Sequence, residues 1–257
     1  MCELFGVSSL ENIPVNELLR EFFSHSTEHP NGWGMAVFHE NAASLEKEPL
    51  PAYKSAYLKE RLRHTLAVRS MIGHIRKATV GELKFENCHP FVHRDNFGRA
   101  WTLAHNGTMF DCPALWPYVH TQEGGTDSER VLCHIIAQID AAQSAAGRAL
   151  DAEERFALLD RIICEIAPHN KLNLLIWDGE LLYTHTNYAN SLYVRQSEDT
   201  AVFATVPLDL GNWQPLAFTT LCAYQNGREL HRGTCHGSEY RDNAEDMKLI
   251  FTDYAGL

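Results

Sequence analysis

Polar and apolar residues alternate from the first positions of the chain. Cys2-Glu3-Leu4-Phe5-Gly6-Val7 reads as a short strand, so the head of the chain is expected to be held in a sheet. Val15 to Ser24 has helical spacing. Asn31-Gly32-Trp33-Gly34 is turn chemistry leading into Met35-Ala36-Val37-Phe38, a continuous apolar run that fits a strand covered on both faces. Tyr57 to Thr65 again has helical spacing, and Ser70 to Ile75 and Trp101 to His105 are strands that end in polar residues. Ser128 to Ala141 and Asp151 to Ala167 are the clearest helices. Asp127 can cap the first, and Asp151 with Glu154 forms a capping-box pattern for the second. The remaining third predicts strands at Leu172 to Trp177, Leu181 to His185, Leu192 to Val194 and Ala201 to Thr205, with hairpin turns at Asp178-Gly179 and Asn226-Gly227. Strands first, two helices in the middle and strands last predict an α+β architecture of layered sheets with helices packed outside them.

Composition narrows the field of functions. With 257 residues, 45% hydrophobic and 21% charged, the chain can bury a full core, and residues 1–257 are expected to form one domain. A formal net charge of -11 argues against a nucleic-acid partner, which needs clustered Lys and Arg to displace counterions. No apolar run is long enough to span a bilayer and no signal core follows the first residues, so no membrane partner and a cytoplasmic location are expected. The seven cysteines are odd in number, scattered and free of any C-x-x-C pair, which fits reduced thiols. Cys88, His89 and His93 lack a second paired half at zinc spacing, so neither metal nor cofactor is expected.

Cys2 carries the sharpest chemistry. A small penultimate side chain favours removal of Met1, which would place a thiol and a free α-amine on one residue. With a reference pKa of about 7.7–8.0, that amine can accept the thiol proton near neutral pH, and the thiolate can attack a carbonyl carbon. The bland alternative is a small hydrophobe at the start of a strand.

Six segments in order resemble those of one family. They are Met1-Cys2-Glu3-Leu4-Phe5-Gly6, Asn31-Gly32-Trp33-Gly34, Gly73-His74-Ile75-Arg76-Lys77-Ala78-Thr79-Val80-Gly81, Asn87-Cys88-His89-Pro90-Phe91, Ala104-His105-Asn106-Gly107 and Thr126-Asp127-Ser128-Glu129. The chain resembles the class II glutamine amidotransferases of the N-terminal nucleophile hydrolase superfamily, and among them the small stand-alone bacterial members. That resemblance implies a four-layer αββα sandwich of two stacked, mainly antiparallel sheets flanked by helices. It implies Cys2 as nucleophile, and Arg76 as the group that grips the substrate carboxylate with two parallel hydrogen bonds. Asp127 would bind the α-ammonium, with Thr79 and Thr126 lining the same pocket and Gly32 and Trp33 forming its walls. The Asn106 side chain and the Gly107 N–H would form an oxyanion hole, where losing one donor typically costs ~3 kcal/mol of transition-state stabilisation. His89 is expected to be a structural or pocket-wall residue, because an N-terminal nucleophile brings its own base. Each residue also has a plainer use: Arg76 in an ion pair, Asp127 as a helix cap, Asn106-Gly107 as a turn, Trp33 as a core aromatic.

Lys77 and Val80 stand where Trp and His are common in the sugar-phosphate aminotransferase branch, which weakens any expectation of ammonia channelling. With no second domain expected for an ammonia acceptor, water is the first choice, acting on glutamine or a γ-glutamyl compound. Two alternatives remain: a glutaminase subunit that feeds a separate synthase chain, and a non-catalytic glutamine-binding module.

Overall fold

The architecture comes from a computed structural model and is described for residues 2–39, 42–78, 81–246 and 248. The chain runs β1 (Glu3–Pro14), α1 (Asn16–Ser24), β2 (Trp33–His39), β3 (Ala42–Glu48), α2 (Ala56–Arg61) and β4 (Ala67–Ile75). It continues with β5 (Phe91–Arg94), β6 (Ala100–His105), α3 (Asp127–Ala146), α4 (Ala152–Ile166), β7 (Leu174–Trp177) and β8 (Leu182–His185). The last strands are β9 (Tyr193–Gln196), β10 (Thr200–Ala204), β11 (Trp213–Pro215), β12 (Cys222–Gln225) and β13 (Arg228–Arg232).

One sheet has the order β11-β9-β10-β1-β4-β2-β3 and the other β13-β12-β8-β7-β6-β5. Every strand pair within them is antiparallel. Leu4, Ala36, Ile72, Ala104, Leu175 and Phe203 fill the layer between the sheets. The opposite face of β1 presents Phe5 and Val7 to Leu18, Leu19, Phe22 and Phe23 of α1. Because successive strand residues point to opposite faces, one strand supplies both layers. On the far side, Val131, Leu132 and Ile135 of α3 and Leu159, Ile162 and Ile163 of α4 cover the second sheet. The result is the expected four-layer αββα sandwich. No helix among the described residues is long and apolar enough to cross a membrane.

Local chemistry sets the helix ends. The Asp151 side chain accepts the Glu154 N–H while the Glu154 carboxylate accepts the Asp151 N–H, the capping box read from the sequence. The cap of α3 differs from expectation: Thr126 Oγ1 accepts the Glu129 N–H at 3.2 Å, so Thr126 is the N-cap and Asp127 opens the first turn. The helix then runs on to Ala146 and stops at Gly147, which takes φ 67°. α2 ends at Arg61 rather than Thr65. β1 is longer than predicted because a register shift between Ser8 and Ile13 lets it rejoin β4 as far as Pro14.

Gly34 of β2 lets the chain at His89 lie directly on the sheet, since a Cβ there would overlap the His89 carbonyl oxygen. Gly34→Ala is expected to lower the unfolding free energy by about 1–3 kcal/mol. A urea midpoint equal to that of the parent would show that this close approach is dispensable.

Candidate active site

β1 is paired on both edges, with β4 and with β10. Glu3 lies opposite Ile75, so Cys2 emerges beside Arg76 at the end of the sheet. Glu3 is anchored on the helix side, its carboxylate 2.8 Å from His25 Nδ1 and 3.7 Å from His29 Nε2. The Leu4 N–H donates to Thr205 Oγ1 at 2.8 Å. Since Leu4 faces the layer between the sheets, the period of two turns Cys2 toward the open end of that layer. The Lys77 N–H lies 3.4 Å from Cys2 Sγ. Burial pushes the thiol pKa up, the Lys77 N–H and the Arg76 charge pull it back, and the Asp127 charge adds to the rise.

Arg76 is buried at the end of β4. Its N–H donates to Gly32 O at 2.8 Å and its carbonyl accepts the Asn31 N–H at 2.9 Å, so the turn before β2 holds its backbone. The guanidinium donates to Gly81 O at 3.0 Å and Glu82 O at 3.1 Å. Gly32 takes φ 131°, and a Cβ there would sit 2.7 Å from Cys88 Sγ. Thr79 lies outside the described residues, as does Met1.

At the end of β6, Asn106 is buried, and among the described residues neither atom of its side-chain amide has a hydrogen-bond partner. A buried amide left this way costs about 1–3 kcal/mol, so its orientation is not explained by local stability. Gly107 follows, and a Cβ there would overlap the Lys171 carbonyl oxygen. His105 ties this turn to α3. Its Nε2 lies 3.0 Å from Lys171 O and therefore carries the proton, leaving Nδ1 to accept the Ser128 hydroxyl at 3.0 Å. Asp127 Oδ2 accepts the Met109 N–H at 2.8 Å and Oδ1 the Ser128 N–H at 2.9 Å, which fixes the carboxylate at the positive end of α3. Thr126 lies close by: a Cβ on Gly81 would be 3.1 Å from Thr126 Cγ2 and 3.3 Å from Arg76 Nη2.

Trp33, expected as a pocket wall, sits on the other face of its strand, and His89, expected as a structural or pocket-wall residue, is buried against His74. Trp33 is fully buried on the helix side, packed on Phe23 and Tyr57, and its Nε1 donates to Glu48 Oε2 at 3.1 Å. It is a core aromatic, because as first residue of β2 it shares the outer face with Met35. His89 stacks on His74 with ring centroids 4.0 Å apart, and among the described residues neither of its ring nitrogens has a hydrogen-bond partner. Burial holds His89 well below the usual histidine range, and its neighbours' positive charge adds to that. Sequence reasoning gave no role to His74, His105, Ser128 or Asn87. Their signal was their place inside the motif segments, next to the residues that were chosen.

An αββα sandwich that presents a cysteine at the head of a doubly paired strand is the layout of the N-terminal nucleophile hydrolases. The chain belongs to the class II glutamine amidotransferases, whose family model matches residues 1–198. It is 33% identical over 189 residues to an uncharacterised protein of Methanocaldococcus jannaschii, across 73% of this chain and 51% of that one, so the match spans about half of the archaeal protein. It is 29% identical over 194 residues to YafJ of Escherichia coli strain K12, provisionally named a glutamine amidotransferase, across 73% and 74% of the two chains. Among solved structures, the glutamine phosphoribosylpyrophosphate amidotransferase of Bacillus subtilis superposes with a TM-score of 0.65 at 17% identity, covering 91% of this chain and 49% of that one. At that identity the likeness speaks to the fold alone.

The buried histidines make stability depend on pH. Burial holds His74 at about 3 and His185 at about 3. An unfolded histidine binds its proton near pH 6.5. As pH falls below that value the unfolded state takes up protons that the folded state refuses, down to about pH 3, so stability falls with acidification. Each such group should contribute a slope of about 1.4 kcal/mol per pH unit. Urea titrations at pH 7, 6, 5 and 4 should show that decline, and His74→Asn should remove about one proton from it. A midpoint that stays level from pH 7 to 5 would contradict the assigned neutral state.

Proposed function

We propose that this chain is an amidohydrolase that cleaves the γ-amide of glutamine or of a γ-glutamyl compound, with Cys2 acting as the N-terminal residue once Met1 is removed. The observation that carries the proposal is that the charges of Arg76 and Asp127 both act on the Cys2 thiol, while Asn106, whose buried amide has no partner among the described residues, lies three positions before the Met109 N–H that holds Asp127. A glutamyl head group offers a carboxylate to Arg76 and an ammonium to Asp127, which leaves its γ-carbonyl for the sulfur. We read residues 1–257 as one catalytic unit, since β10 and β12, late in the chain, complete the two sheets around β1 and β8.

In this mechanism the free α-amine takes the thiol proton as sulfur attacks the γ-carbonyl carbon. Asn106 Nδ2 and the Gly107 N–H receive the oxyanion. The protonated amine then gives its proton to the departing nitrogen, the C–N bond breaks, and a γ-glutamyl thioester remains on Cys2. Water, deprotonated by the same amine, adds to the thioester and releases glutamate and the thiol. The seven cysteines stand unpaired, in keeping with a reducing, cytoplasmic setting.

Leu83 and Phe85 are 57% and 51% exposed on the segment after Arg76, which favours a second reading in which a synthase chain docks there and receives the ammonia. Turnover by the purified chain alone separates the two readings. Cys2→Ala should abolish release of ammonia or amine from a panel of γ-glutamyl compounds including glutamine, and intact mass should show the active protein without Met1. Activity that survives Cys2→Ala, or a fully active chain that keeps Met1, would refute the mechanism. Arg76→Ala should raise KM for substrates bearing an α-carboxylate at least tenfold, with a smaller change in kcat. The opposite pattern would move Arg76 out of the head-group site.

A further inference from the structure

We infer that Asn87 is a positioning residue, a clasp that sets the spacing between the carboxylate-binding and ammonium-binding halves of the pocket; this rests on the glutamyl head-group reading above. Asn87 is 3% exposed and belongs to neither half. Its Nδ2 donates to Glu82 O at 2.9 Å, the same carbonyl that accepts Arg76 Nη1 at 3.1 Å. Its Oδ1 accepts the Gly125 N–H at 2.7 Å, immediately before the Thr126 cap and Asp127. One planar amide therefore spans from the loop under the guanidinium to the turn that launches α3.

The surroundings are shaped around that amide. A Cβ on Gly124 would overlap Asn87 Oδ1, and one on Gly81 would lie 3.1 Å from Asn87 Nδ2. The turn is fixed from its other side by buried Glu129, whose carboxylate accepts the Glu123 N–H at 2.7 Å and the Gly124 N–H at 2.8 Å. With the 123–125 turn pinned by Glu129, Asn87 transmits its position to Glu82 O and so to Arg76. Asn87 needs both an acceptor and a donor at fixed separation, which a primary amide supplies and a carboxylate does not.

Asn87→Asp keeps the acceptor for the Gly125 N–H but sets a second acceptor against Glu82 O, so it releases the Arg76 side alone. Asn87→Ala releases both sides. For glutamine or the best γ-glutamyl substrate, both variants should raise KM about tenfold with kcat held within about threefold. As competitive ligands, L-glutamate and glutarate, which reach Arg76, should bind Asn87→Asp about tenfold more weakly. 4-Aminobutanoate, which lacks the α-carboxylate, should be unaffected by that variant and weakened by Asn87→Ala. Hydrogen exchange read on the Asn87→Ala protein should speed up together at residues 81–82 and 124–126. Unchanged exchange at both segments, or a fall in kcat with KM unaltered, overturns the clasp. A parent protein that neither turns over γ-glutamyl compounds nor binds L-glutamate defeats the glutamyl reading instead, and the exchange comparison still decides whether Asn87 couples the loops.

Discussion

The antiparallel pairing of Glu3 with Ile75 is the constraint on which the rest of the site depends. A chain end ordinarily frays, and a nucleophile on a fraying end would visit its substrate only part of the time. Here the second residue precedes a strand paired on both edges, the next side chain is held by His25, and the next backbone N–H by Thr205. The register that orders the head of the chain also brings Cys2 against the end of β4, where Arg76 is its neighbour and the Lys77 N–H lies against its sulfur. Pre-organisation of this kind counts because reacting groups must be held close to their productive geometry before chemistry starts.

The polar groups around Cys2 are placed by backbone rather than by one another. Gly32 and Asn31 grip the Arg76 main chain, Lys171 backs the 105–107 turn, and the Met109 and Ser128 N–H groups hold the Asp127 carboxylate. Main-chain geometry is stiffer than a web of long side chains, so each charge keeps its position. Asn106 is the exception that marks the purpose of the arrangement, since its amide is buried without a protein partner among the described residues. A buried amide that destabilises the resting fold fits the proposed reaction, in which it would acquire an acceptor.

The sequence announced some of this and concealed the rest for identifiable reasons. α4 was legible because Asp151 and Glu154 write a reciprocal cap, and the β7–β8 and β12–β13 hairpins because Asp178-Gly179 and Asn226-Gly227 have one dominant use. β3 was missed because Ala-Ala-Ser-Leu-Glu-Lys-Glu forms an edge strand whose alternation is diluted by charge. β5 is four residues long and two of them are His and Arg. In the candidate site, Arg76, Asn106 and Asp127 were singled out because they stand in the motif segments and their side chains suit the groups of a glutamyl substrate. Trp33 was misplaced because a motif gives the residue but not the face of the strand it occupies. Asn87, His105 and Ser128 make their hydrogen bonds to other protein groups, and such links appear only once the partners have coordinates.

The rise in the Cys2 thiol pKa is compatible with the proposed use of its own amine. In water a thiol and an α-amine of reference pKa about 8.5 and 7.7–8.0 share a proton with only about a three- to sixfold preference for the thiol. Burial penalises the thiolate and favours the neutral thiol at rest. In the proposed reaction the charge then develops as sulfur meets the carbonyl carbon, and mostly on the oxygen, which Asn106 and Gly107 would receive. A thiolate already stabilised by its surroundings would be the weaker nucleophile, since nucleophilicity falls with thiol pKa. The hydrogen-bond donors at the end of β6 therefore matter more to this chemistry than any further cation placed against the sulfur would.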